Sequence, residues 1–142
     1  MENAEIIRHW YHEVWNEKNE GAIDRYLSDT CIAHGLLDEN NQEIVGTEKF
    51  KIFFLKFVSS FPDIKIKILD IINEGRKTAS LVEASFSHTG ATFEAFPGKS
   101  IKAAGQRVSI TGMTFTIIDN GKIQEAWNCF DFLKMYALLG AF

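Results

Sequence analysis

The spacing of apolar positions changes along the chain, and those changes mark out its elements. Ile6, Ile7, Trp10, Tyr11, Val14 and Trp15 recur at three- and four-residue steps, predicting an amphipathic helix over the first eighteen residues with Asn3 as its cap. Asn19 to Leu27 predicts a second, short helix entered through Asn19 and Gly21. A brief strand around Cys31 to His34 follows, then a polar loop, LDENNQEIVG. After Gly46, with Thr47 as the cap, Phe50, Phe53, Phe54, Phe57 and Phe61 return to helical spacing, and Pro62 ends the run.

From Asp63 the period shortens to two. DIKIKILDII alternates apolar with charged residues as a half-buried strand should, NEGRK is a turn, and TASLVEASFSHTG reads as the returning strand. ATFEAFPGKSIKAAG holds small residues, Pro97 and Gly98, and predicts a long loop over one end of the sheet. QRVSITGMTFTII and KIQEAWNCFDF form a hairpin about Asp119, Asn120 and Gly121, and FDFLKMYALLGAF predicts a short closing helix. Three helices followed by a meander of long antiparallel strands is the order of an α+β fold. Such a twisted sheet needs one face covered, and the N-terminal helices are the cover available. A cone follows, with helices packed on the concave face of a curved antiparallel sheet and a cavity where they part.

Composition narrows the function classes. With 142 residues, 46% hydrophobic and 24% charged, the chain reads as one globular domain, residues 1–142. Twelve Phe, three Trp and three Tyr are many aromatics for that size, enough to fill a core and also wall a cavity. A net charge of −4 with no stripe of Lys and Arg argues against a nucleic-acid partner. No apolar run reaches the length of a membrane span, and MENAEIIRHW is not a secretory leader pattern. Cys31 and Cys129 stand in no metal-ligand spacing, so neither a disulfide scaffold nor a metal site is expected, and the default home is the cytoplasm. No nucleophile triad or phosphate loop is present either; the GKS at Gly98 lacks a preceding strand and reads as a loop.

Four segments together resemble a known family: IIRHWYHEVWNEKNEGAIDRYLSDTCIAHG, GTEKFKIFFLKFVSSFPDIKIKILDIINEGRKTA, SHTG and QRVSITGMTFTIIDNGKIQEAWNCFDFLKMYALLG. In this order they are similar to the SnoaL-like polyketide cyclases of the nuclear transport factor 2-like superfamily. The resemblance implies a cone-shaped α+β barrel with an interior pocket, and homodimerisation through the outer sheet face. It also implies cofactor-independent chemistry, such as ring closure by aldol condensation or proton transfer, on a small apolar molecule of aromatic or polyketide type. The cyclase carboxylate on the last strand falls on Asn128, and the assisting histidine on the preceding strand falls on Thr114. Both are departures, because an amide takes up no proton near neutral pH. A shift of three positions makes Asp131 the equivalent carboxylate instead.

Hairpin geometry bears on whether Thr114 and Asn128 share a face. A two-residue Asn120-Gly121 turn sets Thr114 opposite Trp127 and points Asn128 away. A three-residue loop with Gly121 bulged sets Thr114 opposite Ala126, puts Asn128 on the same face, and agrees with the implied pocket. Trp127 then faces outward, where a dimer interface would take it.

Among ionisable groups, His34 ends its short strand and is a candidate acid or base at a pocket mouth, with a hydrogen-bonded strand-end role as the plainer reading. Asp131, in the apolar FDF, is a candidate base through a raised pKa, or a helix cap. His88, Tyr11, Trp15 and Phe54 are candidate substrate contacts, the aromatics suited to a flat ligand and each otherwise a core residue. His9 and His12 fall on the polar side of the first helix. The functional alternatives are a cofactor-independent enzyme and a non-catalytic binding or dimeric interaction domain.

Overall fold

A computed structural model describes residues 1–142. Helix α1 (Asn3–His9) runs without a break into a π-helical segment, Trp10–Asn16. Bonding at i→i+5, as from Glu17 N to His12 O, widens the turn and brings residues five apart into line. Trp10 and Trp15 thus both turn inward, with Tyr11 and Val14 beside them. Asn3 is the first helical residue rather than the cap; its amide donates to Gly75 O at 3.0 Å and pins the helix start to a distant turn.

Helix α2 (Gly21–Tyr26) leads directly into β1 (Leu27–Leu37), far longer than the expected Cys31–His34. The rest of the order is β2 (Glu43–Val45), α3 (Thr47–Ser60), β3 (Lys65–Glu74), β4 (Lys77–Ser87), β5 (Phe93–Phe96), β6 (Lys99–Ile101), β7 (Arg107–Asp119), β8 (Lys122–Phe130) and α4 (Phe132–Leu139). Six strands form one sheet in the order β2-β1-β8-β7-β4-β3, all antiparallel except the parallel pair β1–β8. The expected loop 91–105 instead carries the separate hairpin β5–β6.

Alternation decides which face is covered. Along β4 and β7, Val82, Ala84, Phe86, Val108, Ile110, Thr114 and Thr116 are buried under the helices, while their neighbours point outward. Interruptions of register between Ile68 and Asp70, between Ala33 and Leu37, and between Ile117 and Ile118 bend the strands, and bulges of this kind curl a sheet around its covering helices. Asn16 clips the edge strand β3 from the helix side: its amide exchanges two hydrogen bonds with the Ile66 backbone, at 2.7 and 2.9 Å. The outcome is the expected α+β fold, a curved and mostly antiparallel sheet with the N-terminal helices across its inner face.

The β7–β8 hairpin follows neither expected register. Asp119 pairs with Lys122, so the turn is the two-residue Asn120-Gly121, with both residues at positive φ (51° and 76°) as such a turn requires. An extra residue then enters β8, since Ile118 pairs with Ile123 but Ile117 with Glu125. That bulge at Gln124 restores the parity, and Thr114 lies directly opposite Asn128. Trp127 faces outward, as expected.

Candidate functional site

Between sheet and helices lies a cavity of about 80 Å³. Of its 24 lining residues 21 are hydrophobic, and the polar ones are two threonines and Asn128. Trp10, Tyr11 and Trp15 close one side, and Phe50, Phe53 and Phe57 of α3 another. The phenylalanine stripe therefore divides its tasks. Phe54 turns away into the core, its ring 5.3 Å from that of Trp15, and Phe61 packs against Phe86 and Phe93 at 4.2 and 4.9 Å. Phe54, expected to touch a ligand, is thus not part of the cavity wall.

A hydrogen-bonded row crosses the cavity. The Tyr11 hydroxyl donates to Thr114 Oγ1 at 3.1 Å, and the Thr114 hydroxyl donates to Asn128 Oδ1 at 3.2 Å. The Asn128 amide in turn donates to the backbone oxygen of His34 at 3.0 Å. These bonds orient the amide, because only its NH₂ can meet a carbonyl oxygen. One N–H of Asn128 remains uncommitted, and the Tyr11 oxygen keeps acceptor capacity. Burial pushes the Tyr11 pKa up, outweighing the opposing bonds from Thr114 and Ser80. Burial likewise lifts the Cys31 thiol in the cavity wall to about 12. Neither group ionises near neutral pH, and the cavity wall contains no carboxylate or imidazole. What the site offers is oriented hydrogen bonds in an apolar surrounding, where an unpaired polar group is costly and a matched one is selective.

The remaining expected residues lie elsewhere. His34 pairs with Trp127 on the outer sheet face, its ring stacked 5.0 Å from the indole. Its Nδ1 meets Glu43 at 2.7 Å and its Nε2 meets Glu125 at 2.6 Å, and chiefly the Glu125 bond raises its pKa. Only its backbone oxygen reaches the cavity row, because its neighbours Ala33 and Leu36 take the inward positions. Asp131 caps α4, its carboxylate accepting from Lys134 N at 3.2 Å, and does not line the cavity. His88 is fully buried beside Phe61, its Nε2 donating to Ala91 O at 2.8 Å, so it supports the loop after β4 rather than touching the cavity. Tyr11, Trp15, Thr114 and Asn128 are the expected residues that the fold brings together.

Sequence reasoning passed over a second space. A vestibule of about 280 Å³ adjoins the cavity, and Leu36, Phe53, Phe57 and Phe132 line both. The β1–β2 connection, α3, the β5–β6 hairpin and α4 form its walls. A signal for it existed in the aromatic FEAFPG of the presumed loop. No three His, Cys, Asp or Glu side chains gather into a metal-holding group, and no helix is long and apolar enough to cross a membrane.

The sequence profile for SnoaL-like polyketide cyclases matches residues 5–139. Among solved structures, TsrD from Streptomyces laurentii superposes with a TM-score of 0.80 at 21% identity, over 100% of this chain and 99% of its own. IdmH from Streptomyces antibioticus, described as a candidate polyketide cyclase, superposes at 0.79 and 20% identity over 99% of both chains. AclR from Streptomyces galilaeus, described as a candidate hydroxylase, gives 0.77 at 20% over 99% of this chain and 88% of its own. At these identities the likeness carries the fold and no residue roles. No protein of curated function matches the sequence significantly.

Proposed function

The chain belongs to the SnoaL-like polyketide cyclase family, and from that membership we propose that it takes a small, largely apolar, carbonyl-bearing molecule into its interior cavity and promotes ring closure or isomerisation there. The observation that carries this reading is the Tyr11–Thr114–Asn128 row in an otherwise apolar wall. The free N–H of Asn128 polarises a substrate carbonyl, and the aromatic walls hold a flexible chain folded with its reacting carbons close. Such holding substitutes for much of the entropy of an encounter. A donor placed where oxygen gains negative charge favours the transition state over the ground state. Because His34 and Asp131 point away from the cavity, this reading gives neither a role in moving protons: the α-proton passes to water, and the hydroxyl of the aldol leaves as water. It also takes the chemistry to need no cofactor.

A second reading, a non-catalytic binding protein, is favoured by the amide at Asn128 where the cyclases carry a carboxylate. One experiment separates the two. Heptane-2,6-dione, whose ends condense to a methylcyclohexenone, is added while cavity indole fluorescence and enone absorbance are followed. Enone forming faster with protein, and about a hundredfold slower with Asn128→Leu, is the expected result for the loss of one positioned donor. A fluorescence change without acceleration establishes the binding protein, and no response to this or longer diketones overturns both readings.

We also propose that two copies pair through the outer sheet face. Phe115 pairs across the sheet with Ala79 and Trp127, and Ala79 with Ile72, giving an outward apolar row over four strands. Met113 is 59% exposed in the next row, Phe115 42% and Trp127 37%. An apolar patch in the middle of a sheet face is a common mark of an interface. Cys31 and Cys129 are both free thiols, which suits a reducing cytoplasm.

A further inference from the structure

The vestibule holds more room than the cavity, about 280 against about 80 Å³. A ligand of more than a few heavy atoms that enters the cavity must therefore leave one end between α3 and the β5–β6 hairpin. What waits there decides which end is tolerated. Of the 16 vestibule residues one is cationic, Lys56. Its ammonium sits over the Phe93 ring, 4.8 Å from the centroid, and has no hydrogen-bond or ion-pair partner in the chain. Loss of solvent holds its pKa below the ordinary lysine value, against a weaker opposing pull from Glu94. An ammonium held over an aromatic face with no ion-pair partner is free to take an acceptor, and a carboxylate is the one that meets it best.

The carboxylates nearby do not fill that role. Asp38 is committed to its own turn and to Lys49, accepting from Asn40 N and Gln42 N at 2.9 Å each and from Lys49 Nζ at 2.9 Å. Glu39 and Glu94 are exposed and make no ion pair with Lys56. Their charge disfavours a polyanion but leaves one acceptor position over Phe93.

We propose that Lys56 is an anion-recognition residue at the cavity entrance, and that the ligand is an amphiphilic monocarboxylate. Its apolar, carbonyl-bearing body fills the cavity and its single carboxylate pairs with Lys56. This rests on the reading of the cavity as a ligand site and adds the chemical class of the ligand. The carboxylate also fixes direction, so that the carbonyl reaches Asn128 and the acid stays at the mouth.

The test is a titration of the whole protein, followed by indole fluorescence, with 5-oxohexanoic, 7-oxooctanoic and 9-oxodecanoic acids and the methyl ester of each. Each acid of sufficient length should bind about tenfold more tightly than its ester, a difference that salt reduces. Lys56→Met should abolish the preference, Lys56→Arg retain it, and Glu94→Gln strengthen it, each read as the ratio of acid to ester affinity within one variant. Lys56 is exposed, so these variants should fold, and ester binding serves as the internal check. Equal affinity for acid and ester, or a preference that survives Lys56→Met, overturns the assignment of Lys56 while leaving the cavity reading intact. Failure of every acid and ester to bind overturns both.

Discussion

Asn128 shows how much one side chain depends on its immediate supports. Its amide is oriented by Thr114 on one side and the His34 carbonyl on the other, and the chain at His34 can approach because the next residue is Gly35. A Cβ on Gly35 would lie 2.0 Å from Asn128 O, and the glycine holds φ at +83°. Backbone cannot yield as a side-chain tip can, so Gly35→Ala must displace one strand. We expect it to cost about 2 to 4 kcal/mol, combining left-handed strain with the clash, as measured by urea unfolding. Gly98→Ala, at φ +85° with open space around it, is the control for the strain alone. If the two variants lose equal stability, the close approach at Asn128 has no energetic weight. Gly35→Ala should also weaken diketone binding, which the control should leave alone.

At the scale of elements, the odd member is the short strand β2, tied to β1 and β8 through one imidazole. His34 stands between Glu43 of β2 and Glu125 of β8, with both ring nitrogens against carboxylates. Its pKa is raised from the ordinary 6.5, so folding favours the protonated ring. The stabilisation is complete below that ordinary value and is lost as pH rises through the higher folded value. The melting temperature of the native protein should therefore fall from pH 6 toward pH 9 by more than that of His34→Gln. Parallel pH profiles for the two would remove His34 from any part in holding β2. The buried imidazole, His88, is sealed beside Phe61 with Nδ1 unpartnered, and it contributes packing and one loop contact.

For the whole molecule, the curved sheet separates two apolar surfaces. The concave one is covered by α1, its π-helical extension and α3, while the convex one leaves Met113, Phe115 and Trp127 in solvent. Pairing of two copies through that surface predicts a dimer in sedimentation velocity at micromolar concentration, and a monomer for Phe115→Glu with its circular dichroism unchanged. A native monomer under those conditions would leave the convex face without this partner. The vestibule lies at the rim, among the β1–β2 connection, α4 and the β5–β6 hairpin, so ligand entry and pairing use different parts of the surface.

Periodicity alone determined the helices of the first third, the β3–β4 and β7–β8 hairpins and the α+β class, because local alternation records which face of an element is buried. The four segments quoted above were enough to recognise the family, and they brought Tyr11, Trp15, Thr114 and Asn128 to notice. Only the tertiary structure decided which residues face the cavity. The bulge at Gln124 restored a parity that the turn alone would have reversed, and the irregularity between Ala33 and Leu37 brought Leu36 inward, while His34 keeps the outward position that alternation with Ala33 gives it. A one-residue bulge leaves little trace in local pattern, yet it exchanges the faces of every residue beyond it. The vestibule and Lys56 were hidden for a different reason. Their walls come from four elements distant in sequence, and a space between elements has no period to read.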